Sequence, residues 1–434
     1  MSKKITLLEA IMLGIGGMYG VGIFVFPGST GRLNDGLDFL AWLITGIMMI
    51  AVGLVYSDMS SAFEVDGGPA VYPFEVFKKR ALSKFLSFYS GAGFFVGWTI
   101  AITICAITSP YYLYYILPIS LNYSIVTSLI LIFFATLLVI FGVKLSGKVN
   151  QILTFILLAI TLAFTIAVFS YSGLSIHLSN NYKFDISKFL ASIGIIIGAY
   201  GAWASIPSVY SSVENPKKNV PLSVAISILS VAAIYVLMVM SLHSLIPYNE
   251  FLNNPEVAYS PFSYASIQLE KLTGIKIFTY LFSLSALLAI FTTMIVGFLS
   301  LSRAIYAMSE KGIIPQKIYD IDSKNGRYIL STVIISLTSS LFSLFPQYFY
   351  KFMVIGLVVG TNIPYAINLI SYIYFKHSSP SGFLSRRIGI FLGIMSFSII
   401  IVSSYALSLQ EVKASAIALS ILFVAYVIYY FFRK

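Results

Sequence analysis

Charge is what this chain has least of. Aspartate and glutamate number 16 and lysine and arginine 27 in 434 residues, so charged residues make up 10% of a sequence where a soluble globule carries about a quarter. With 58% apolar residues and a mean hydropathy of +0.91, an ordinary soluble fold is excluded and an all-α integral membrane protein is expected. One cysteine, Cys105, rules out an internal disulfide; small apolar packing is its expected role. The three histidines, His177, His243 and His377, lack ligand spacing for zinc and read as solvated or interfacial. HExxH, GxSxG and GxxxxGK[ST] are all missing, so neither a membrane protease nor an ATP-driven pump finds support and no enzyme is expected. The net charge of +11 would call for nucleic acid only in a soluble protein; here no nucleic-acid partner is expected, and the placement of the basic residues matters more.

No linker or low-complexity tract divides the chain, which reads as one membrane domain over 1–434. At about 20 apolar residues per crossing, about twelve spans fit, near 6–30, 37–60, 86–115, 124–142, 149–171, 189–212, 221–245, 277–303, 328–345, 350–375, 388–408 and 414–431. The N-terminus runs straight into the first span with no cleavage signal, so that span is expected to be retained. If the N-terminus is cytoplasmic, 20 of the 27 lysines and arginines fall on that side, among them Lys3, Lys4, Lys79, Arg80, Arg303, Lys311, Arg327, Lys376, Arg433 and Lys434. The other 7 are Arg32, Lys183, Lys188, Lys271, Lys276, Lys351 and Lys413. This bias predicts cytoplasmic termini and a cell-membrane protein. The longest external loop contains 263–272, a stretch expected to form a short helix or hairpin over the mouth.

The chain is organised around GIGGMYGVGIFVFPG, Gly14 to Gly28, which concentrates glycine inside the first span. Glycine weakens a helix, and hydrocarbon cannot satisfy the backbone groups a break sets free, so such a stretch belongs inside protein or beside a watery cavity. Gly16 and Gly20, spaced as GxxxG, also fit simple close packing of helices. A second stretch, GAYGAWASIP from Gly198 to Pro207, repeats Gly17-Met18-Tyr19-Gly20 as Gly198-Ala199-Tyr200-Gly201. Paired interruptions of this kind point to a transporter whose substrate site lies at both breaks, near the bilayer midplane.

Four segments in order, GVGIFVFPG, DGGPAVYPF (Asp66 to Phe74), ENPKKNVP (Glu214 to Pro221) and SLSRAIYAMSEKGIIP (Ser300 to Pro315), make the chain resemble the amino acid/polyamine/organocation transporters. The resemblance implies a LeuT-like fold with helices 1 and 6 interrupted. Its two inverted five-helix repeats would cover about 5–171 and 188–377, with two additional helices at about 388–431. It implies a secondary active amino acid permease, with an exchanger or a polyamine carrier as alternatives and a sensor or channel as a distant one. Together with helix-end electrostatics it assigns the substrate carboxylate to amides around Gly20, Val21 and Gly22, and the ammonium to carbonyls near Met18 and Ala199 to Gly201. Tyr19 and Tyr200 read either as pocket lining or as packing between helices, and Trp203 as packing. Tyr72 and Tyr365 stand where similar transporters place aromatic gates, or else are tyrosines at the lipid interface.

Similar transporters carry a glutamate in the sixth helix, where Ala204 stands, or a lysine in the fifth, near Leu157; both are absent here. Apart from Glu9, every acidic residue is expected at a membrane boundary or in a loop, which leaves Glu9 or a water chain for proton coupling. Thr292 and Thr293, with the carbonyls of Gly16 or Met18, outline a sodium site by the same resemblance; the alternative is that both hydroxyls bond their own helix. The coupling ion is thus H+ or Na+, or none if the protein exchanges amino acids, and no other cofactor is expected. The apolar residues at the breaks, with Thr99, Ile102 and Thr103 of the third helix expected to face them, predict a neutral and apolar amino acid as substrate.

Overall fold

The structure, a computed structural model, describes residues 4–432 apart from 79–80, 118–120, 142, 174–183, 255–256, 258–259, 326–327 and 380. Lys3, Lys79, Arg80, His177, Lys183, Arg327, Arg433 and Lys434 lie outside the described residues. The regular elements described are helical, save an isolated parallel bridge between Ile5 and Val213.

Helix α1 (Leu7–Met18) begins with a capping box: Thr6 Oγ1 accepts the Glu9 amide at 3.3 Å, and the Glu9 carboxylate accepts the Thr6 amide at 2.8 Å. Two of the first turn's free donors are satisfied this way, a structural use for the one acidic residue expected within a span. The helix ends at Met18, Gly20 is extended (φ −142°, ψ −151°), and α2 (Val21–Leu33) restarts with a bend of 41°. There follow α3 (Asp38–Phe63), the short α4 (Tyr72–Phe77), α5 (Ala81–Tyr114), α6 (Ser124–Ile140) and α7 (Val143–Ser172). Next come α8 (Ile186–Tyr200), a 3-10 stretch at Gly201–Ala204, α9 (Ser205–Ser208), α10 (Pro216–Leu245), α11 (Tyr248–Asn253) and α12 (Pro261–Thr273). The chain ends with α13 (Phe278–Glu310), α14 (Lys317–Asn325), α15 (Ile329–Ser343), α16 (Phe349–Leu357), α17 (Ile363–Ser378) and α18 (Arg386–Phe432).

Among the described residues, eight helical stretches are each long and apolar enough to cross a bilayer, and the bent α1–α2 pair makes a ninth. Three shorter apolar stretches, α6, α15 and Leu419–Ile428 within α18, occupy the other places where spans are expected. Two departures from expectation stand out. The sixth span is not broken as the first is: it tightens into the 3-10 stretch with right-handed angles throughout, Gly201 at φ −60°, ψ −22°. The two C-terminal helices are one element of 47 residues. Gln410-Glu411-Val412-Lys413 is polar enough to read as a loop, yet it contains good helix formers and neither glycine nor proline.

Large aromatics fill the centre, with Trp42, Tyr56, Trp203 and Tyr235 fully buried, while Phe133, Leu162, Ile166 and Phe391 are more than half exposed. Apolar side chains outside and polar ones inside suit a lipid solvent, since each helix satisfies its own backbone. His243 contradicts the expectation of a solvated residue: it is fully buried, with Nε2 2.5 Å from Asp38 Oδ1, and Thr30 Oγ1 donates to Asp38 Oδ2 at 2.7 Å. Asp58 likewise stands near a helix end but out of water, 2.7 Å from Lys376 and bonded by Tyr372 and the Leu384 amide. Both carboxylates sit at boundary positions along α3 and are covered by protein, which a hydropathy profile does not register. His377 is exposed, as expected.

Candidate functional site

A cavity of about 120 Å³ lies where the two glycine-rich stretches meet. One water needs about 10–15 Å³ on this measure, so the cavity holds several waters or one small solute. Met18, Gly20, Val21 and Gly22 line it from the first stretch and Ala199, Gly201 and Ala202 from the second. Among the described residues that line it, none is Asp, Glu, Lys, Arg or His. Helix α2 starts at the cavity with no side-chain cap, so the positive end of its dipole faces the space.

A third interruption, missed in the sequence reading, completes the wall. Between α16 and α17 the chain widens into a π turn, Val358–Asn362, two residues before Pro364, which has no N–H to give. Gly360 and Thr361 of this turn line the cavity beside Gly97 and Trp98 of α5. A Cβ on Gly360 would stand 2.2 Å from Gly97 Cα, so the two backbones touch. The signal was present as two GxxxG repeats, GFFVG (93–97) and GLVVG (356–360). The face of α5 turned to the cavity also holds Ile100, Ala101 and Ile104. Thr99, Ile102 and Thr103, expected there, do not line it; Thr103 Oγ1 donates to the carbonyls of Thr99 and Ser339 instead. The expected face was rotated by about one residue.

Tyr19 and Tyr200 belong to the two stretches but do not line the cavity. The Tyr19 hydroxyl lies 2.7 Å from Thr161 Oγ1 and donates to Met238 Sδ, and the Tyr200 hydroxyl donates to the Trp42 carbonyl at 3.2 Å. In this structure both rings pack between helices. Another tyrosine, without any sign in the sequence, joins the breaks: Tyr235 of α10 donates to the Met18 carbonyl and lies 3.2 Å from the Ala199 carbonyl. The Gly201 carbonyl accepts the Tyr365 hydroxyl at 3.3 Å. Three carbonyls at the positions assigned to an ammonium are therefore already paired to phenols, and the Met18 carbonyl also accepts the Gly20 amide at 2.8 Å.

The two threonines divide. Thr293 lines the cavity and donates to the carbonyls of Gly16 and Gly17 at 3.4 and 3.2 Å, whereas Thr292 bonds its own helix at Ala289. Gly16 itself lies off the cavity, against Asn150 and Thr154 of α7. Glu9 stays in its capping box at the start of α1.

Packed side chains lie toward both ends of the bundle. On the side where α1 begins, Tyr365 stacks on Trp203 at 5.8 Å, and Tyr56 meets Tyr72, Trp203 and Tyr365 edge-on. Tyr72 and Tyr365 are 0% and 4% exposed, so they are not tyrosines at a lipid interface. Beneath them Asp66 accepts from the Ser211 amide, the Ser211 hydroxyl and Arg303, and Lys311 pairs with Glu75. On the side where α2 ends, the packing is aromatic: Phe24, Phe262 and Phe282 pack within 6 Å of one another. Phe262 arrives on α12, where a short helix over the mouth was expected.

The comparisons with known proteins agree with this architecture. The serine/threonine exchanger SteT of Bacillus subtilis is 28% identical over 325 residues, 73% of this chain and 70% of that protein. The methylthioribose transporter of the same organism is 23% identical over 333 residues, 73% of this chain and 69% of its own length. Cationic amino acid transporter 3, mitochondrial, of Arabidopsis thaliana is 22% identical over 408 residues, 88% of this chain but 63% of that protein. The chain thus spans less than two thirds of the length of this plant relative. The amino acid permease model matches residues 5–432, nearly the whole of a bundle of membrane-length helices, and the chain belongs to the amino acid permease family.

Proposed function

We propose that this chain is a secondary active amino acid transporter that works by alternating access and prefers neutral, apolar side chains. One observation carries the reading: a cavity at the two glycine-rich stretches, with a helix N-terminus and backbone carbonyls for the amino acid head group and, among the described residues that line it, no Asp, Glu, Lys, Arg or His. A charged side chain entering it would leave water without gaining a counter-charge, at a cost of several kcal/mol. The plant relative's name specifies cationic amino acids; this lining offers such a side chain no carboxylate.

Alternating access is supported by two unlike sets of contacts toward the two ends of the bundle, aromatic and ionic on one side and aromatic alone on the other. The bias of lysines and arginines supports a plasma-membrane protein with cytoplasmic termini, the Asp66–Arg303 pair then facing the cytoplasm. Exchange of one amino acid for another is a second reading, favoured because it needs no ion at a site whose described lining holds no Asp, Glu, Lys, Arg or His, and one relative is named an exchanger.

Counterflow tests the function. Proteoliposomes preloaded with unlabelled leucine should transiently accumulate labelled leucine, whereas a channel would only equilibrate and a sensor would give no flux. Stronger displacement of the label by arginine, lysine or glutamate than by alanine or phenylalanine would overturn the substrate class.

A further inference from the structure

Five glycines of the two stretches line the cavity, and at four of them an added Cβ would stand closer than 3.0 Å to a neighbour. A Cβ would stand 2.7 Å from Val296 at Gly17, 1.9 Å from Thr293 at Gly20, 2.7 Å from Ala199 at Gly22 and 2.0 Å from Leu357 at Gly198. Gly201 is different. Its angles are those of any helical residue, and a Cβ there would meet only Tyr365 Oη at 3.5 Å and Thr361 Cγ2 at 3.7 Å, ordinary contact distances. Neither backbone conformation nor packing requires glycine at this position. What its missing side chain leaves is space inside the cavity, between Thr361 of the π turn and Tyr365 of α17.

We propose that Gly201 sets the size limit of the substrate side chain, with Thr361 as the opposing wall. The inference rests on the amino acid site proposed above and deepens it: large apolar side chains, leucine and phenylalanine, use the space beside Gly201, and alanine does not need it. An alanine at 201 fits the fold and narrows the cavity by one methyl group. A single methylene in an apolar pocket discriminates by about 10- to 200-fold, so the variant shifts preference toward small substrates.

The test measures apparent affinities for alanine, leucine and phenylalanine, by displacement of labelled leucine and by thermal shift, in four purified full-length proteins: wild type, Gly201→Ala, Thr361→Ser and the double variant. In Gly201→Ala the phenylalanine-to-alanine affinity ratio should fall by about tenfold or more. Thr361→Ser removes the opposing methyl and keeps the hydroxyl; alone it should raise the ratio, and in the double variant it should recover part of the loss. General damage would weaken all three ligands alike and would not respond to Thr361→Ser. An unchanged ratio, a uniform loss or a failure of Thr361→Ser to raise the ratio overturns the size filter. Should Gly201→Ala fail to fold, the Thr361→Ser ratio decides alone. If wild type binds none of the three amino acids, the proposed amino acid site falls and the filter with it.

Discussion

Gly17-Met18-Tyr19-Gly20 and Gly198-Ala199-Tyr200-Gly201 differ at one position in four, yet only the first opens its helix. The difference lies in what surrounds them. At the first, Thr293 stands where a Gly20 side chain would go, Ala199 crowds Gly22, and the chain escapes through an extended residue. At the second, Ala-Trp-Ala follows, Trp203 is held by stacking on Tyr365, and Ser205 and Ser208 donate to the carbonyls of Ala202 and Ala204. Those hydroxyls tie the turn to itself, and the chain tightens without parting. Local sequence marks where a helix is weak; the neighbours decide whether it opens.

The sharpest way to break this comparison is to put the same side chain at both glycines. Gly20→Ala drives a methyl into Thr293 and should abolish uptake and lower Tm, with overpacking of about 1–3 kcal/mol or more. Thr293→Ala in the same chain, which removes the nearest clashing atom, should restore part of the Tm. Gly201→Ala should leave Tm near wild type. Equal loss of Tm at both positions would mean that the two glycines meet the same constraint after all.

Much of this contrast was legible before the structure. Glycine content and the repeated tetrapeptide located both stretches, and hydropathy located the long apolar helices, because these depend on local composition. The direction of a side chain does not. Tyr19 and Tyr200 belong to the repeated tetrapeptide but face α7, α10 and α3. The third helix was read one residue out of phase for want of a fixed reference along a uniformly apolar face. His243 was hidden because its partner, Asp38, is 205 residues away and no local pattern joins them.

Tyr235→Phe asks whether the two stretches act as one site. The ring, held at 5.1 Å by both Trp42 and Tyr200, stays; only the hydroxyl shared by the Met18 and Ala199 carbonyls is lost. The Met18 carbonyl keeps the Gly20 amide, so what is lost is one hydrogen bond, up to about 1.5 kcal/mol, and substrate affinity should change by up to about tenfold, with a smaller fall in Tm. Wild-type affinity in Tyr235→Phe would show that the bridge between the stretches plays no part in binding.

The smallest effect expected separates Thr293 from Thr292, neighbours in sequence with opposite attachments. Valine keeps the shape of threonine and removes its hydroxyl. At Thr292 that hydroxyl serves only its own helix; at Thr293 it reaches the carbonyls of Gly16 and Gly17, just before the first break. The distances, 3.4 and 3.2 Å, are long for a hydroxyl donor, whose bonds centre near 2.7–2.8 Å, so the contribution is modest. At about 0.5–1.5 kcal/mol, Thr293→Val should slow initial uptake about two- to tenfold, while Thr292→Val should stay near wild type. Running both in sodium and in choline media sharpens the result. A sodium requirement present in wild type and lost only in Thr293→Val would place the coupling ion at the first stretch and not the second. Equal losses in the two valine variants would show that α13 supports the break by packing and not through the hydroxyl that faces it.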